Sequence, residues 1–304
     1  WLESNVREQK QTGYAIVTVR LPQGNLVASQ MRALAQLSRD AGDSIVRVDI
    51  DQNVHLAYIP VGSLRRVFAA LKLVNLTLAG AGELMDTVSC PGAYSCNLAL
   101  TKSMNLAAAI SEAVSSYTDK QVRGLSVKIS GCPNSCGQHW IGSLGFYGNS
   151  RKVAGKEVPY YQMLLGGGYD REGMLRFGLA ISSIPAKLAP VAARRVLDHF
   201  LVNREEGESF RDYVLRNKVA FFKTLVADLA KPAEYDTEWF MDWGDTDTFS
   251  LQLGRDRLGD LAGRLAQGLG QGQGAVGLEV AELRLAGRRQ LGIEGRPSGL
   301  REGP

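Results

Sequence analysis

Four cysteines, set out as Cys90-Pro-Gly-Ala-Tyr-Ser-Cys96 and Gly131-Cys132-Pro-Asn-Ser-Cys136-Gly137, constrain this 304-residue chain more than any other feature. Four Cys are far too few for a disulfide scaffold at this length. Two close pairs in turn-rich sequence point instead to metal or redox chemistry. Four thiolates are the usual complement of a [4Fe–4S] cluster. A structural zinc site more often separates its paired Cys by about two to four residues, whereas five residues lie between Cys90 and Cys96. The plain alternative is four buried, inert thiols. Pro91, Gly92, Gly131, Pro133 and Gly137 suit tight turns whose backbone N–H groups approach sulfur closely.

Around the cysteines the chain alternates helical and extended patterns. Residues 14–21 (YAIVTVRL) are β-branched and alternating, and Val27, Met31, Leu34 and Leu37 or Ser38 then fall at helical spacing before Gly42. Ile45 to Ile50 and Val54 to Ile59 predict two more strands, and Leu64, Val67, Phe68 and Leu71 a second helix. The order β-α-β-β-α predicts a ferredoxin-like half-domain over residues 1–80. A second domain, residues 81–254, carries both Cys pairs flanking a helix from about Asn97 to Tyr117. Strands are expected at Leu125 to Ser130, Leu144 to Tyr147 and Tyr160 to Leu165, and helices at Val191 to Asn203 and Ser209 to Leu229. The expected class is α+β, a ferredoxin-like half-domain followed by a mixed α/β domain.

Composition narrows the remaining possibilities. The chain is 45% hydrophobic and carries 35 basic against 31 acidic residues, enough apolar material for a core and too even a charge to suggest a nucleic-acid or membrane partner. The opening Trp1-Leu2-Glu3-Ser4 has neither the basic nor the apolar region of a signal peptide, so a cytoplasmic protein is expected. Trp1 in place of Met suggests a fragment of a longer chain. Residues 255–304 hold 12 of the 34 Gly, no aromatic residue and no Lys. They are expected to form a disordered tail or to be an out-of-frame translation, with Leu278 to Leu285 as a possible short helix. His55, His139 and His199 are expected to be structural, although His139 stands close enough to the second pair to donate a hydrogen bond on the cluster side. Gly166-Gly167-Gly168 lacks both the Lys-Ser/Thr of a phosphate-binding loop and the spacing of a dinucleotide fingerprint.

The segment from Ile129 to Gln138 (ISGCPNSCGQ), with Cys90-x5-Cys96 upstream, resembles the sirohaem- and [4Fe–4S]-containing nitrite and sulfite reductase family. Gly13-Tyr14, Leu21-Pro22-x-Gly24 and Gln52-Asn53 extend the likeness, which runs from about Trp1 to about Gly254. The resemblance implies a six-electron reductase of sulfite to sulfide or nitrite to ammonia, with a ferredoxin or flavoprotein as electron donor. It implies that Cys90, Cys96, Cys132 and Cys136 hold the cluster and that Cys136 also ligates the sirohaem iron. Gln52 and Asn134 match positions that contact sirohaem, and Gly166 to Gly168 would approach it. It further implies that the chain is the C-terminal half of such an enzyme, with the basic substrate-binding and proton-donating groups in a first half. The alternative is a non-catalytic iron–sulfur or zinc-binding module that transfers electrons or supports the fold.

Overall fold

The computed structural model describes residues 1–251. The expected tail, its helix at Leu278 to Leu285 and the boundary at Gly254 lie outside the described residues. Among the described residues, no helix is long and apolar enough to cross a membrane.

The first part of the chain runs α1 (Leu2–Asn5), β1 (Val6–Glu8), β2 (Tyr14–Val19), α2 (Ala28–Ala41), β3 (Val46–Val48), β4 (Val54–Pro60) and α3 (Leu64–Lys72). The strands form an antiparallel sheet in the order β1-β2-β4-β3, with Val17 opposite Leu56 and Val46 opposite Leu56 on the other side. The alternation of the sequence sends Val17, Val19, Val54 and Leu56 to the face covered by α2 and α3, where they meet Leu34, Ile59, Val67 and Leu71 in one buried cluster. This is the β-α-β-β-α arrangement expected for a ferredoxin-like half-domain, with β1 added at the edge. The strand expected over Ile45 to Ile50 is shorter because Asp49 leaves the ladder to build a turn. Its Oδ1 accepts the N–H groups of Asp51 at 2.9 Å and Asn53 at 2.8 Å.

The second part comprises β5 (Val88–Ser89), α4 (Ser103–Val114), α5 (Lys120–Arg123), β6 (Val127–Ser130), β7 (Leu144–Val153), β8 (Lys156–Leu165), β9 (Gly168–Tyr169), β10 (Leu175–Arg176), β11 (Leu179–Pro185), α6 (Ala189–Asn203), α7 (Phe210–Leu225) and α8 (Ala227–Ala230). Its main sheet has the order β11-β8-β7-β6-β5 and is mixed. The pairs β5–β6 and β6–β7 are parallel, while β7–β8 and β8–β11 are antiparallel. A second core fills the space between this sheet and its helices, with Phe146, Tyr161, Met163, Phe200, Tyr213 and Phe222 buried in it.

Three elements depart from the expectation for local reasons. The strands expected at Leu144 to Tyr147 and Tyr160 to Leu165 continue into one hairpin of two ten-residue strands, closed by Ala154 and Gly155 at φ +49° and +80°. Two positive φ values in succession are what a tight two-residue hairpin turn requires. The helix expected from Asn97 begins only at Ser103, because the amides of Leu100 and Thr101 turn away to the carbonyl of Gly131 at 2.9 and 3.1 Å. The helix expected over Ser209 to Leu229 is broken at Lys218 (φ +64°) and ends at Leu225, before the short α8.

Candidate metal centre

Both cysteine pairs lie at the C-terminal ends of parallel strands, Cys90 directly after β5 and Cys132 two residues after β6. Parallel pairing of β5 with β6 therefore brings the two loops together, although about forty residues separate them in sequence. The Cys90 N–H donates to the carbonyl of Ile129 at 3.1 Å, and the Gly131 N–H donates to Cys90 Sγ at 3.2 Å. Ser103 Oγ lies 3.3 Å from the same sulfur and donates to the Cys90 carbonyl at 2.7 Å. Thr101 adds a side-chain bond to the Gly131 carbonyl at 3.3 Å.

The loops approach so closely that one position admits only glycine. A Cβ on Gly137 would collide with the carbonyl oxygen of Ile129 and stand 2.9 Å from the Cys90 nitrogen. Ser130 anchors the same turn, accepting the Gly137 N–H on its Oγ at 3.0 Å. The loop then passes through Ser135 and Gln138, both in the left-handed region at φ +61° and +59°.

Cys90 and Cys132 are buried, while Cys96 and Cys136 are exposed. Among the described residues, no three His, Cys, Asp or Glu side chains converge on a point that would hold one metal ion. The thiols lie on two loops joined at Cys90 and Gly131. The amide of Gly131 on Cys90 Sγ is the kind of N–H···S support that cluster ligands receive. The donor set and its backbone setting fit a four-thiolate cluster. Cys136 and Asn134 are both exposed in the loop of the second pair.

The remaining candidates divide. Gln52 sits in the β3–β4 turn at φ +68°, and its amide is engaged with the backbone of Ser89, donating to the carbonyl at 2.7 Å and accepting the N–H at 3.1 Å. His139 is fully buried, with Nδ1 2.8 Å from Ser130 Oγ, and burial pushes its pKa down to about 4. It is neutral near pH 7. Its Nε2 has no hydrogen-bond partner among the described residues. Gly167 packs against the chain itself, since a Cβ there would meet the carbonyl oxygens of Gly142 and Trp140 at 2.6 Å. Gly167 therefore lies hard against the loop that follows the second Cys pair, a contact within the chain and distinct from the approach to sirohaem that the resemblance implies. His55 bridges Asp49 Oδ2 and Thr18 Oγ1 and supports the β3–β4 turn.

Sequence reasoning passed over Ser103, Thr101, Ser130 and Lys128, all buried near the two loops. Their partners are 7 to 77 residues away, so no local pattern marks them; Ser130 alone stands beside a cysteine motif.

Comparison with known proteins agrees with this reading of the fold. Residues 7–74 match the family model of the nitrite/sulfite reductase ferredoxin-like half domain. The ferredoxin–nitrite reductase of Synechococcus elongatus is 34% identical over 167 residues, covering 54% of this chain and 32% of that protein. An assimilatory ferredoxin-dependent nitrite reductase of Haloferax mediterranei is 27% identical over 235 residues, covering 77% and 39%. The chain spans about a third of the length of the curated relatives it matches. Among solved structures, the Mycobacterium tuberculosis NirA protein shares the fold at a TM-score of 0.63 and 24% identity, covering 72% of this chain and 41% of that one. Residues 7–74 thus match that half-domain, and the similarity to a ferredoxin-dependent nitrite reductase runs on through the cysteine loops.

Proposed function

We propose that this chain contributes the cluster-bearing part of a sirohaem-dependent reductase that carries nitrite to ammonia in six electrons, with ferredoxin as the electron donor. The observation that carries the reading is the joining of the two cysteine loops, with Cys90 hydrogen-bonded to Ile129 and Gly131 on the strand that delivers Cys132. Relatives named as ferredoxin-dependent nitrite reductases favour nitrite over sulfite and ferredoxin over a flavoprotein. Residues 1–80 act as a ferredoxin-like domain and residues 81–254 as the domain that binds the cofactors.

In this reading the cluster and sirohaem, when bound, supply stored electrons and a site for the anion. Cys90, Cys96, Cys132 and Cys136 hold the cluster, and Cys136 also faces the sirohaem with Asn134 beside it. The chain's own contribution is to fix the thiols and keep water from two of them. Cys90 and Cys132 are buried, and Gly131 and Ser103 both hold Cys90 by hydrogen bonds. His139 is neutral at working pH and acts as packing and as a partner of Ser130 rather than as a charged acid. Arg20 and Lys128 are bound to Asp86 and Asp51. They are therefore not the charges that would receive an anionic substrate.

Anaerobic reconstitution tests the first step, with iron and acid-labile sulfide each approaching about four per chain. Zinc at one per chain without sulfide would refute it. Cys136→Ser should remove both the cluster and the sirohaem absorption, whereas Cys132→Ser should affect the cluster more; equal loss from both would leave no support for a shared sulfur. Steady-state rates with nitrite and with sulfite, driven by reduced ferredoxin, then decide the substrate.

A further inference from the structure

The β3–β4 turn of the ferredoxin-like part touches both cysteine loops, and nothing in the proposed chemistry uses these contacts. On one side the Gln52 amide clips the backbone of Ser89, the residue before Cys90, through both its donor and its acceptor. On the other, Asp51 Oδ1 accepts from Lys128 Nζ at 2.7 Å, and Lys128 also donates to Gln138 Oε1 at 3.1 Å. Gln138, two residues beyond Cys136, returns a bond from Nε2 to the Ile50 carbonyl at 3.3 Å. Consecutive residues of one turn thus hold the segment entering the first cysteine pair and the segment leaving the second.

The turn is built to keep its shape. Asp49 caps two of its amides and is itself held by His55. Asn53 is buried, accepting the Leu21 N–H and donating to Asp86. Gln52 is held at φ +68°, a left-handed conformation that a non-glycine residue adopts at a cost and keeps only where its surroundings compensate. Here that conformation aims the amide at Ser89. A turn that only reversed the chain would have no need of a strained residue with its side chain bound to another sheet.

We propose that Gln52 is a positioning residue, which fixes the backbone of Ser89 and hence the placement of the Cys90 sulfur, so that the ferredoxin-like part helps set the geometry of the four-thiolate site. The proposal rests on the reading that these thiols hold an iron–sulfur cluster. Gln52→Leu removes both bonds at similar bulk, while Gln52→Glu keeps the acceptor for the Ser89 N–H and places a carboxylate oxygen against the Ser89 carbonyl. In Gln52→Leu the Ser89 amide, followed in the full apo chain by hydrogen exchange, should exchange at least about tenfold faster, since losing hydrogen bonds worth about 1.4 kcal/mol changes an opening equilibrium by that factor.

The same variant, reconstituted with iron and sulfide, should take up the normal complement yet lose it about tenfold faster to a ferrous chelator. Gln52→Glu should fall on the same side of wild type in both measurements. Melting temperature provides the control, because a merely structural role would lower stability and leave chelator loss unchanged at temperatures where both proteins are fully folded. Ser89 exchange and chelator loss both within twofold of wild type would overturn the proposal. A wild-type chain that takes up neither iron nor sulfide would overturn the cluster reading instead, and Ser89 exchange would then decide alone whether Gln52 fixes the loop.

Discussion

The buried ion pair between the two sheets lends itself to a quantitative test. Asp86 is 8% exposed and accepts three hydrogen bonds, from Arg20 Nε at 3.2 Å, Asn53 Nδ2 at 2.7 Å and the Gly82 N–H at 2.8 Å. Burial raises its pKa against the pull of those donors. Asp86→Ala removes the negative partner and leaves Arg20, itself 5% exposed, as a buried charge. Removing one member of such a pair costs about 3–5 kcal/mol. Arg20 keeps bonds to the carbonyls of Ala79 at 3.0 Å and Met85 at 2.5 Å, so the expected loss lies near the lower end, about 3 kcal/mol. At about 2–4 °C per kcal/mol for a protein of this size class, that corresponds to a drop in Tm of roughly 6–12 °C. Urea unfolding followed by tryptophan fluorescence and far-ultraviolet circular dichroism measures it directly. The double variant Arg20→Met/Asp86→Leu should recover most of the loss, because a packed apolar pair avoids burying a lone charge. A loss below about 1 kcal/mol in Asp86→Ala would refute the reasoning, showing that relaxation or water rescues the arginine.

Three further outcomes are expected. Gly137→Ala should fold with both cores intact but bind less than half the wild-type iron and sulfide after reconstitution, because its Cβ collides with the Ile129 carbonyl between the two loops; full uptake would show that the loops can separate freely. His139, with a folded pKa of about 4 against about 6.5 unfolded, contributes stability that is complete above pH 6.5 and is lost as pH falls toward 4, by up to about 3 kcal/mol. Urea midpoints between pH 7 and 4.5 should fall less steeply in His139→Phe, and parallel curves would reject this source. Asp119 caps α5 through the amides of Gln121 and Val122 and grips Arg204 with both oxygens at 2.7 and 2.8 Å. Asn serves as well as Asp at a cap, so Asp119→Asn should lose only the partly exposed Arg204 contact, about 0.5–1 kcal/mol, and Asp119→Ala about 1 kcal/mol more; equal losses in chemical unfolding would deny the cap.

Much of the fold was legible because it rests on short-range pattern. The alternation of residues 14–21 and the helical spacing from Leu64 to Leu71 place residues in one buried cluster, and β-α-β-β-α follows from their order. The strand β11 (LAISSIP) was not anticipated. Its apolar residues are interrupted by Ser182 and Ser183, and its pairing with β8 shifts register between Ala180 and Ser183. A two-residue period does not survive such an irregularity. The short β5 was missed for a different reason, since Val88 and Ser89 form a strand only because β6 lies beside them.

Of the candidate site, the cysteines stand out in the sequence and the residues that support their loops do not. Cysteine spacing carries information because four thiols in two turns have few common uses, whereas Ser103, Thr101 and Ser130 are ordinary residues until the fold sets them against sulfur-bearing loops. The same asymmetry explains Gln52. Read locally, it is a polar residue in a turn, and read by resemblance, a cofactor contact; its partner at Ser89 lies 37 residues away and across a change of sheet. Loops that must present sulfur cannot satisfy all their own backbone groups, because the turns that expose a thiol also break the ladder. Those groups find partners where the neighbouring part of the chain is rigid. Asp49 makes the β3–β4 turn so, with both its oxygens engaged. The coupling has a physical consequence: binding that orders the cysteine loops also tightens the ferredoxin-like part, through contacts that lie outside the cysteine motifs.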